Sequence, residues 1–168
     1  VGSEMCIRDR VGSVGPEGLD TSPRGDAPGF VKVADSKTLL LPDRRGNNRA
    51  DTLMNIVRDP RVSLLFLIPG VGETLRVIGQ AKIVVDAQLC QQFEVQGKLP
   101  RSVMVLAVDK VYFQCQKALS RSQLWQLEAK VDRATLPTTG QMISALDESF
   151  DGESYDRNYS EHQKETIY

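Results

Sequence analysis

Residues 59–85 read DPRVSLLFLIPGVGETLRVIGQAKIVV, and this stretch decides the fold. Its first half, Val62–Ile68, is a nearly continuous apolar run of strand length, and the Pro-Gly-Val-Gly that follows has the composition of a turn. In the second half, one alternating set is mainly apolar: Leu75, Val77, Gly79, Ala81 and Ile83. The stretch therefore predicts a β-hairpin with one face in the core and a more polar opposite face.

Further strand candidates lie on both sides of this hairpin. A turn-like Asp-Ser-Lys separates two of them, which predicts a second antiparallel hairpin. The six candidates are Leu19–Ser22, Phe30–Ala34, Thr38–Leu41, Val62–Ile68, Thr74–Val85 and Ser102–Cys115. Short helices interrupt them without regular alternation, so a parallel doubly wound sheet is disfavoured. We predict a mainly β fold, a small antiparallel barrel with short helices at its ends.

Two short helices are predicted between the strands. The first has Asn48 as its N-cap, Asp51 in its first turn and apolar residues at helical spacing, and it ends at Asp59–Pro60. The second begins at Asp86 and ends before Pro100.

Both ends of the chain differ from the middle. Residues 1–10, VGSEMCIRDR, have no periodicity and resemble translated adapter sequence, so we expect a non-native extension there. From residue 147 to 168, seven acidic residues stand against two basic ones, a net charge of −5, which leaves +4 for the rest of a chain whose total is −1. We predict a barrel domain over residues 11–146, truncated at its N-terminus, and a disordered acidic tail over 147–168.

The side-chain inventory excludes several classes of chemistry. His162 is the one histidine and lies in the polar tail, so a Ser-His-Asp triad or a His-ligated metal site has no suitable central residue. The three cysteines, Cys6, Cys90 and Cys115, form no Cys-x-x-Cys pair, which disfavours a disulfide framework and a thiolate metal site. No apolar run approaches the roughly 20 residues of a membrane helix. We expect a cytoplasmic protein with no metal site and no nucleic-acid or membrane partner, whose reactive group is a bound cofactor.

The segment PDRRGNNR, residues 42–49, joins the end of a strand to the start of a helix. Arginine heads, amide side chains and the free N–H groups of a helix N-terminus together suit a phosphate. Thr52 adds a hydroxyl one turn later. A solvated basic loop with an ordinary helix cap is the alternative interpretation of the same residues.

Two smaller clusters carry the same kind of chemistry. Arg24 follows Ser22 in a Ser-Pro-Arg-Gly-Asp segment and can reach an anion. Lys117, Arg121 and Trp125 recur at four-residue spacing, so in a helix they share one face. That face suits a planar anionic ligand, or it is a tryptophan that covers the barrel end beside solvated bases.

Taken together, these segments resemble the pyridoxamine 5′-phosphate oxidase-related FMN-binding split-barrel proteins, and most of all a bacterial subgroup of them. The resemblance covers roughly residues 15–145. It rests on SPRGD (22–26), LLLPDRRGNNR (39–49), DPRVSLLF (59–66), ETLRVIG (73–79), YFQCQK (112–117) and RSQLW (121–125). It implies a split barrel and a homodimer with FMN at the interface, and the barrel of this chain would lack its N-terminal strand and helices.

Carried over by position, the resemblance implies a set of FMN contacts. It assigns the flavin phosphate to Asn48, Arg49 and Thr52, with Arg44 or Arg45 helping, and it includes Asn47 among the cofactor contacts. It puts Thr74 and Arg76 at the flavin and lines the same cavity with Ser22 and Arg24. It brings Lys117, Arg121 and Trp125 from the partner subunit.

One family motif is missing. The Arg-x-Val-Leu-Leu-Lys of true pyridoxamine phosphate oxidases is absent around Phe30–Val33, which argues against vitamin B6 oxidation. The resulting hypothesis is an FMN-dependent oxidoreductase that acts on a small molecule, with no protein acid or base identified. The alternative is a non-catalytic protein that carries flavin, deazaflavin or haem.

Overall fold

A computed structural model of the chain describes residues 8–46 and 49–168. The strands are β1 Arg8–Gly15, β2 Gly18–Gly25, β3 Lys32–Asp35, β4 Thr38–Pro42, β5 Arg61–Leu67, β6 Thr74–Val84 and β7 Val103–Gln114. The α-helices are α1 Asp51–Arg58, α2 Ala87–Gln91, α3 Lys117–Ser122, α4 Thr139–Ser144 and α5 Gly152–Thr166. Within the described ranges, none of the helices has both the length and the apolar character needed to cross a membrane.

All seven strands form one antiparallel sheet in the order β2-β1-β5-β6-β7-β4-β3. The predicted mainly β, antiparallel fold is confirmed. The chain divides into two compact units. The first, residues 1–125, contains the whole sheet, and the second consists of residues 126–168. This boundary differs from the predicted one between residues 146 and 147.

The β5–β6 hairpin forms the centre of the sheet. Leu64 and Phe66 of β5 and Val77 and Ala81 of β6 are buried in one core cluster, against which Leu75 and Ile83 pack. The predicted core face of β6 is therefore confirmed. At Gly79 the register with β7 shifts, and the backbone of Ala107 lies where a side chain at position 79 would stand.

Helix α1 closes the core on the inward side of this hairpin. Ile56 belongs to the same apolar cluster as Val77 and Ala81. Asn55 is buried, and its Nδ2 donates to Ser13 Oγ at 3.1 Å. The predicted end at Asp59 is confirmed, but the N-cap is Ala50 and the predicted cap Asn48 lies outside the described residues.

Strand β1 was not predicted, because residues 1–10 carry no alternation that would mark a strand. It pairs with both β2 and β5, and Val11 of β1 is fully buried in the core. Arg8–Arg10, within the segment expected to be non-native, thus occupy strand positions.

The second unit is helical where the sequence predicts a disordered tail. Helix α5 begins after Asp151, whose carboxylate accepts from the backbone N–H of Ser154. Its Asp156 accepts hydrogen bonds from the Thr138 hydroxyl and from Gly140 N, which ties α5 to the start of α4. Gly140 and Gly152 let the two backbones approach too closely for any side chain. These long-range contacts explain why composition alone mispredicts the segment.

Candidate functional site

A small polar-edged pocket lies at the N-terminal end of α1. Its polar lining residues are Arg24 from β2, Asp43 after β4 and Thr52 from α1. Apolar core residues, among them Phe30 and Leu41, form the rest of its wall. The cavity of about 20 Å³ has room for about one water molecule.

Two predicted site residues therefore meet in this pocket, and a third lies beside them. Ser22 pairs with the buried Val11 and Arg24 with Asp9, so Ser22 and Arg24 share the inward face of β2. Thr52 is buried on the first turn of α1. The structure thus brings Arg24 and Thr52 together and places Ser22 on the same face.

Asp43 is a member of the pocket that the sequence did not single out. Burial raises the pKa of its carboxyl, while the charges of Arg24 and Arg101 act in the opposite direction. Its backbone N–H donates to Ser102 O at 2.9 Å, which fixes the start of the loop. The available signal was its place inside PDRRGNNR, where a lone acid stands among arginines.

The other loop cations lie near this pocket's helix but point to solvent. Arg45 is exposed, and the exposed Arg49 pairs with Asp51 at 2.9 Å. An exposed ion pair of this kind contributes little to stability, so a bound anion can compete for the arginine. The predicted contacts Asn47 and Asn48 lie outside the described residues.

Arg44 has a structural role in place of the predicted phosphate contact. Its Nε donates to Asp26 Oδ2 at 2.6 Å and its Nη1 to Phe93 O at 2.6 Å. The side chains of Arg44 and Asp26 are only 17% and 3% exposed. Arg44 therefore joins the segment before β3 to the end of α2, and its charge is already compensated.

We predict that Arg44→Ala destabilises the protein by about 3 kcal/mol, because it leaves the buried Asp26 carboxylate without its cation. Urea unfolding followed by circular dichroism measures this loss. Arg45→Ala is the matched control. Arg45 is the exposed neighbour of Arg44, and its removal should change the free energy of unfolding by less than about 0.5 kcal/mol. Equal midpoints for the two variants would contradict the structural role.

Thr74 and Arg76 lie on the opposite side of the sheet from the pocket. Leu75 and Val77, which alternate with them, contact the core on the side that α1 covers. Arg76 instead lies over the ring of Tyr112, with 5.9 Å from Cζ to the ring centroid. One chain therefore does not bring Thr74 and Arg76 together with Arg24 and Thr52.

The prediction that Lys117, Arg121 and Trp125 share one helix face is wrong, because the helix after β7 is too short. Helix α3 ends at Ser122, and Gln123 adopts a left-handed backbone conformation, so only Lys117 and Arg121 lie on the helix, both exposed. Trp125 lies beyond it, and its Nε1 donates to Val71 O at 2.8 Å. The indole is thus anchored on the β5–β6 turn of its own chain, three residues before Thr74.

The last part of β7 exposes an apolar edge. Strand β4 pairs with β7 only as far as Ala107, and β6 continues to Gln114. Val111 and Phe113, which share a face with the core residues Val77 and Leu75, are 55% and 70% exposed. Nothing in the alternating pattern of β7 distinguishes these two residues from buried ones.

Comparison with known proteins decides the family. Residues 9–115 match the sequence profile described as Pyridoxamine 5'-phosphate oxidase. The chain belongs to the pyridoxamine 5′-phosphate oxidase family. The family segment contains the pocket, Thr74 and Arg76, whereas Lys117, Arg121 and Trp125 follow it. Comparison with curated protein sequences gives no match.

Solved structures agree with the fold of the family. Two crystal structures of HupZ from Group A Streptococcus, 17% and 16% identical, each cover 64% of this chain and 89% and 85% of their own, with TM-scores of 0.53. A pyridoxamine 5′-phosphate oxidase-related, FMN binding protein from Nostoc punctiforme is 13% identical over 63% of this chain and 72% of its own, with a TM-score of 0.42. The chain therefore has the mainly β, antiparallel split-barrel fold of its family.

Proposed function

We propose that this member of the pyridoxamine 5′-phosphate oxidase family is an FMN-dependent oxidoreductase with a small-molecule substrate. The observation that carries the proposal is the pocket in which Arg24 and Thr52 meet at the N-terminus of α1. A guanidinium, a hydroxyl and the N–H groups of a helix N-terminus form the donor set that a phosphate needs. The exposed Arg45 and Arg49 add cations on the loop that precedes α1.

The residues of this chain bind and orient the cofactor in this proposal. Arg24 compensates the phosphate charge from the sheet, and Thr52 donates a hydroxyl hydrogen bond from the helix. Arg49 leaves its exposed pair with Asp51 to contact the phosphate. The bound flavin supplies the hydride or electron transfer.

A homodimer follows from the separation of the predicted contacts. Because Thr74 and Arg76 lie across the sheet from Arg24 and Thr52, a flavin that touches both groups needs a second copy of the chain. The exposed apolar residues Val111 and Phe113 on β7 support such a contact, since large exposed apolar residues on one edge are typical of interfaces.

Both cysteines among the described residues, Cys90 and Cys115, are free thiols, which supports a cytoplasmic setting.

We predict that Arg49→Ala weakens FMN binding by about 1.5 to 3 kcal/mol, the size of a charge-assisted hydrogen bond. Arg24→Ala should weaken it at least as much, because this arginine is half-buried in the pocket. Quenching of FMN fluorescence during titration measures the affinity. Arg58→Ala is the matched control, an exposed arginine at the opposite end of the same helix.

Four outcomes decide the proposal. Full-length protein that stays colourless and fails to take up added FMN contradicts any flavin function. Equal FMN affinity in Arg24→Ala, Arg49→Ala and Arg58→Ala contradicts the phosphate assignment. Bleaching of the bound flavin by NAD(P)H, followed by reoxidation with oxygen, supports an enzyme, whereas a bound flavin that no reductant bleaches supports a carrier.

A further inference from the structure

A second cleft lies away from the pocket, where β1 leaves β5. Their pairing stops at Gly12 and Ser63, so the end of the β1–β2 hairpin diverges from the start of β5. The open cleft between them measures about 460 Å³, within the range of small-molecule sites. Its lining residues are Gly12, Ser13, Val14, Leu19, Asp20, Thr21, Arg61, Val62 and Ser63.

A buried residue of α1 holds the polar groups of this cleft in place. The buried amide of Asn55 donates through Nδ2 to Ser13 Oγ at 3.1 Å and to Asp20 Oδ2 at 3.4 Å. The absence of a side chain at Gly12 keeps the wall open, because a Cβ there would lie 2.6 Å from Ser63 Oγ. The cleft is therefore a built feature with an oriented carboxylate in its wall.

The charge balance of the cleft is negative. Arg61 donates from Nε and Nη2 to the two carboxylate oxygens of Asp59 at 2.5 to 3.1 Å, so its charge is compensated outside the cleft. The arginine hydrogen bonds lower the pKa of Asp59 to about 2, which keeps that partner ionised. In the part of the chain that is described, Asp20 forms no ion pair, and its one side-chain hydrogen bond comes from the neutral Asn55.

We propose that this cleft binds a small organic ammonium ion. The Asp20 carboxylate supplies the opposite charge for the –NH₃⁺ group, and Ser13 Oγ, on the same face of the β1–β2 hairpin, supplies a further acceptor. The apolar side chains of Val14 and Leu19, with Val62 behind them, contact a short carbon chain. This site is independent of the flavin pocket, so either can exist without the other.

The test is a titration of the full-length protein with n-propylammonium chloride at constant ionic strength, followed by amide chemical shifts. Saturable shifts at residues around the cleft are expected, and propan-1-ol, which has the same carbon chain without the charge, should not reproduce them. Asp20→Asn keeps the shape of the wall and should weaken binding at least about ten-fold, since it removes a charge-assisted contact.

Two further variants separate the cleft from general charge effects. Asp35→Asn removes an exposed carboxylate at the end of β3, and it should leave the affinity unchanged. Thr21→Lys, at an exposed strand position, places an ammonium of the protein itself beside the cleft and should abolish the shifts. The proposal is overturned if Asp20→Asn binds as tightly as the parent, if Asp35→Asn loses as much affinity, or if propan-1-ol gives the same saturable shifts.

Discussion

Asp9→Val is expected to raise the free energy of unfolding by on the order of 5 kcal/mol at pH 8. Asp9 is 2% exposed, and neither carboxylate oxygen has a hydrogen-bond partner within the described residues. Burial raises the pKa of this carboxyl from 3.8 to about 8, against the smaller opposing effects of nearby backbone N–H groups and Arg24. The native state therefore binds a proton at Asp9 that the unfolded chain releases.

The sign of the pH dependence follows from that proton. Between about pH 4 and pH 8 the folded chain holds one more proton than the unfolded chain, so stability falls by about 1.4 kcal/mol per pH unit. Above the folded pKa both states are ionised and the loss is complete. Below the unfolded pKa both are protonated and the penalty for the charge is absent.

Urea unfolding at several pH values between 5 and 8.5 measures this effect. Asp9→Asn is the control, because it keeps the side-chain shape and removes the titration, so its curve should lack the slope that the parent shows. Subtracting the two curves removes the contributions of all other groups. Parallel curves would show that Asp9 does not carry the proton.

The strand pairing shows that position 9 lies in the core, where an apolar residue fits best. Asp9 pairs with the buried Phe66 of β5 and shares a face of β1 with the fully buried Val11. It also lies within residues 1–10, the segment that the sequence predicts to be non-native. An apolar side chain at this core position would remove a buried carboxylate that has no hydrogen-bond partner among the described residues.

Gly79→Ala is expected to destabilise the protein by at least about 3 kcal/mol. An added Cβ would overlap the carbonyl oxygen of Ala107 on the neighbouring strand and lie 3.0 Å from its carbonyl carbon. Both atoms belong to the backbone of a paired strand, so relief requires β6 and β7 to separate, and overpacking of this kind exceeds the usual range of about 1 to 3 kcal/mol.

The matched control for this substitution is Gly25→Ala. Gly25 is also a strand residue, at the end of β2, but an added Cβ there meets nothing within 4 Å. Its denaturation midpoint should stay close to that of the parent, while Gly79→Ala should lower the midpoint strongly or prevent folding. Similar midpoints for both variants would mean that β7 can yield at Ala107.

The hairpins of this fold follow from local pattern. Alternation of period two identified the core face of β6, and the turn residues after Asp35 identified the β3–β4 hairpin, since both features lie within a few neighbouring residues. Strand β1 and helix α5 were missed for the opposite reason. One has Asp9 at a core position, and the other depends on the contact between Gly140 and Gly152.

In the candidate site too, local sequence predicts the chemical character of a loop, and long-range contacts decide the role of each of its residues. The PDRRGNNR segment predicted a group of equivalent cations, but the fold gives Arg44 to Asp26 and to Phe93 O, 18 and 49 residues away. Arg45 and Arg49 remain exposed. Whether an arginine of this loop has a structural role or is available to a ligand depends on which acceptors the fold brings near its guanidinium.

Amino-acid order was therefore sufficient for the family, the antiparallel hairpins and the chemical character of the phosphate loop. The pairing across distant strands was needed for the rest. It determines the burial of Asp9, the structural role of Arg44 and the position of Thr74 on the face of the sheet away from α1. The physical reason is the range of the interactions. Turn propensity and side-chain alternation act between near neighbours, whereas desolvation and charge compensation depend on residues that only the assembled sheet brings together.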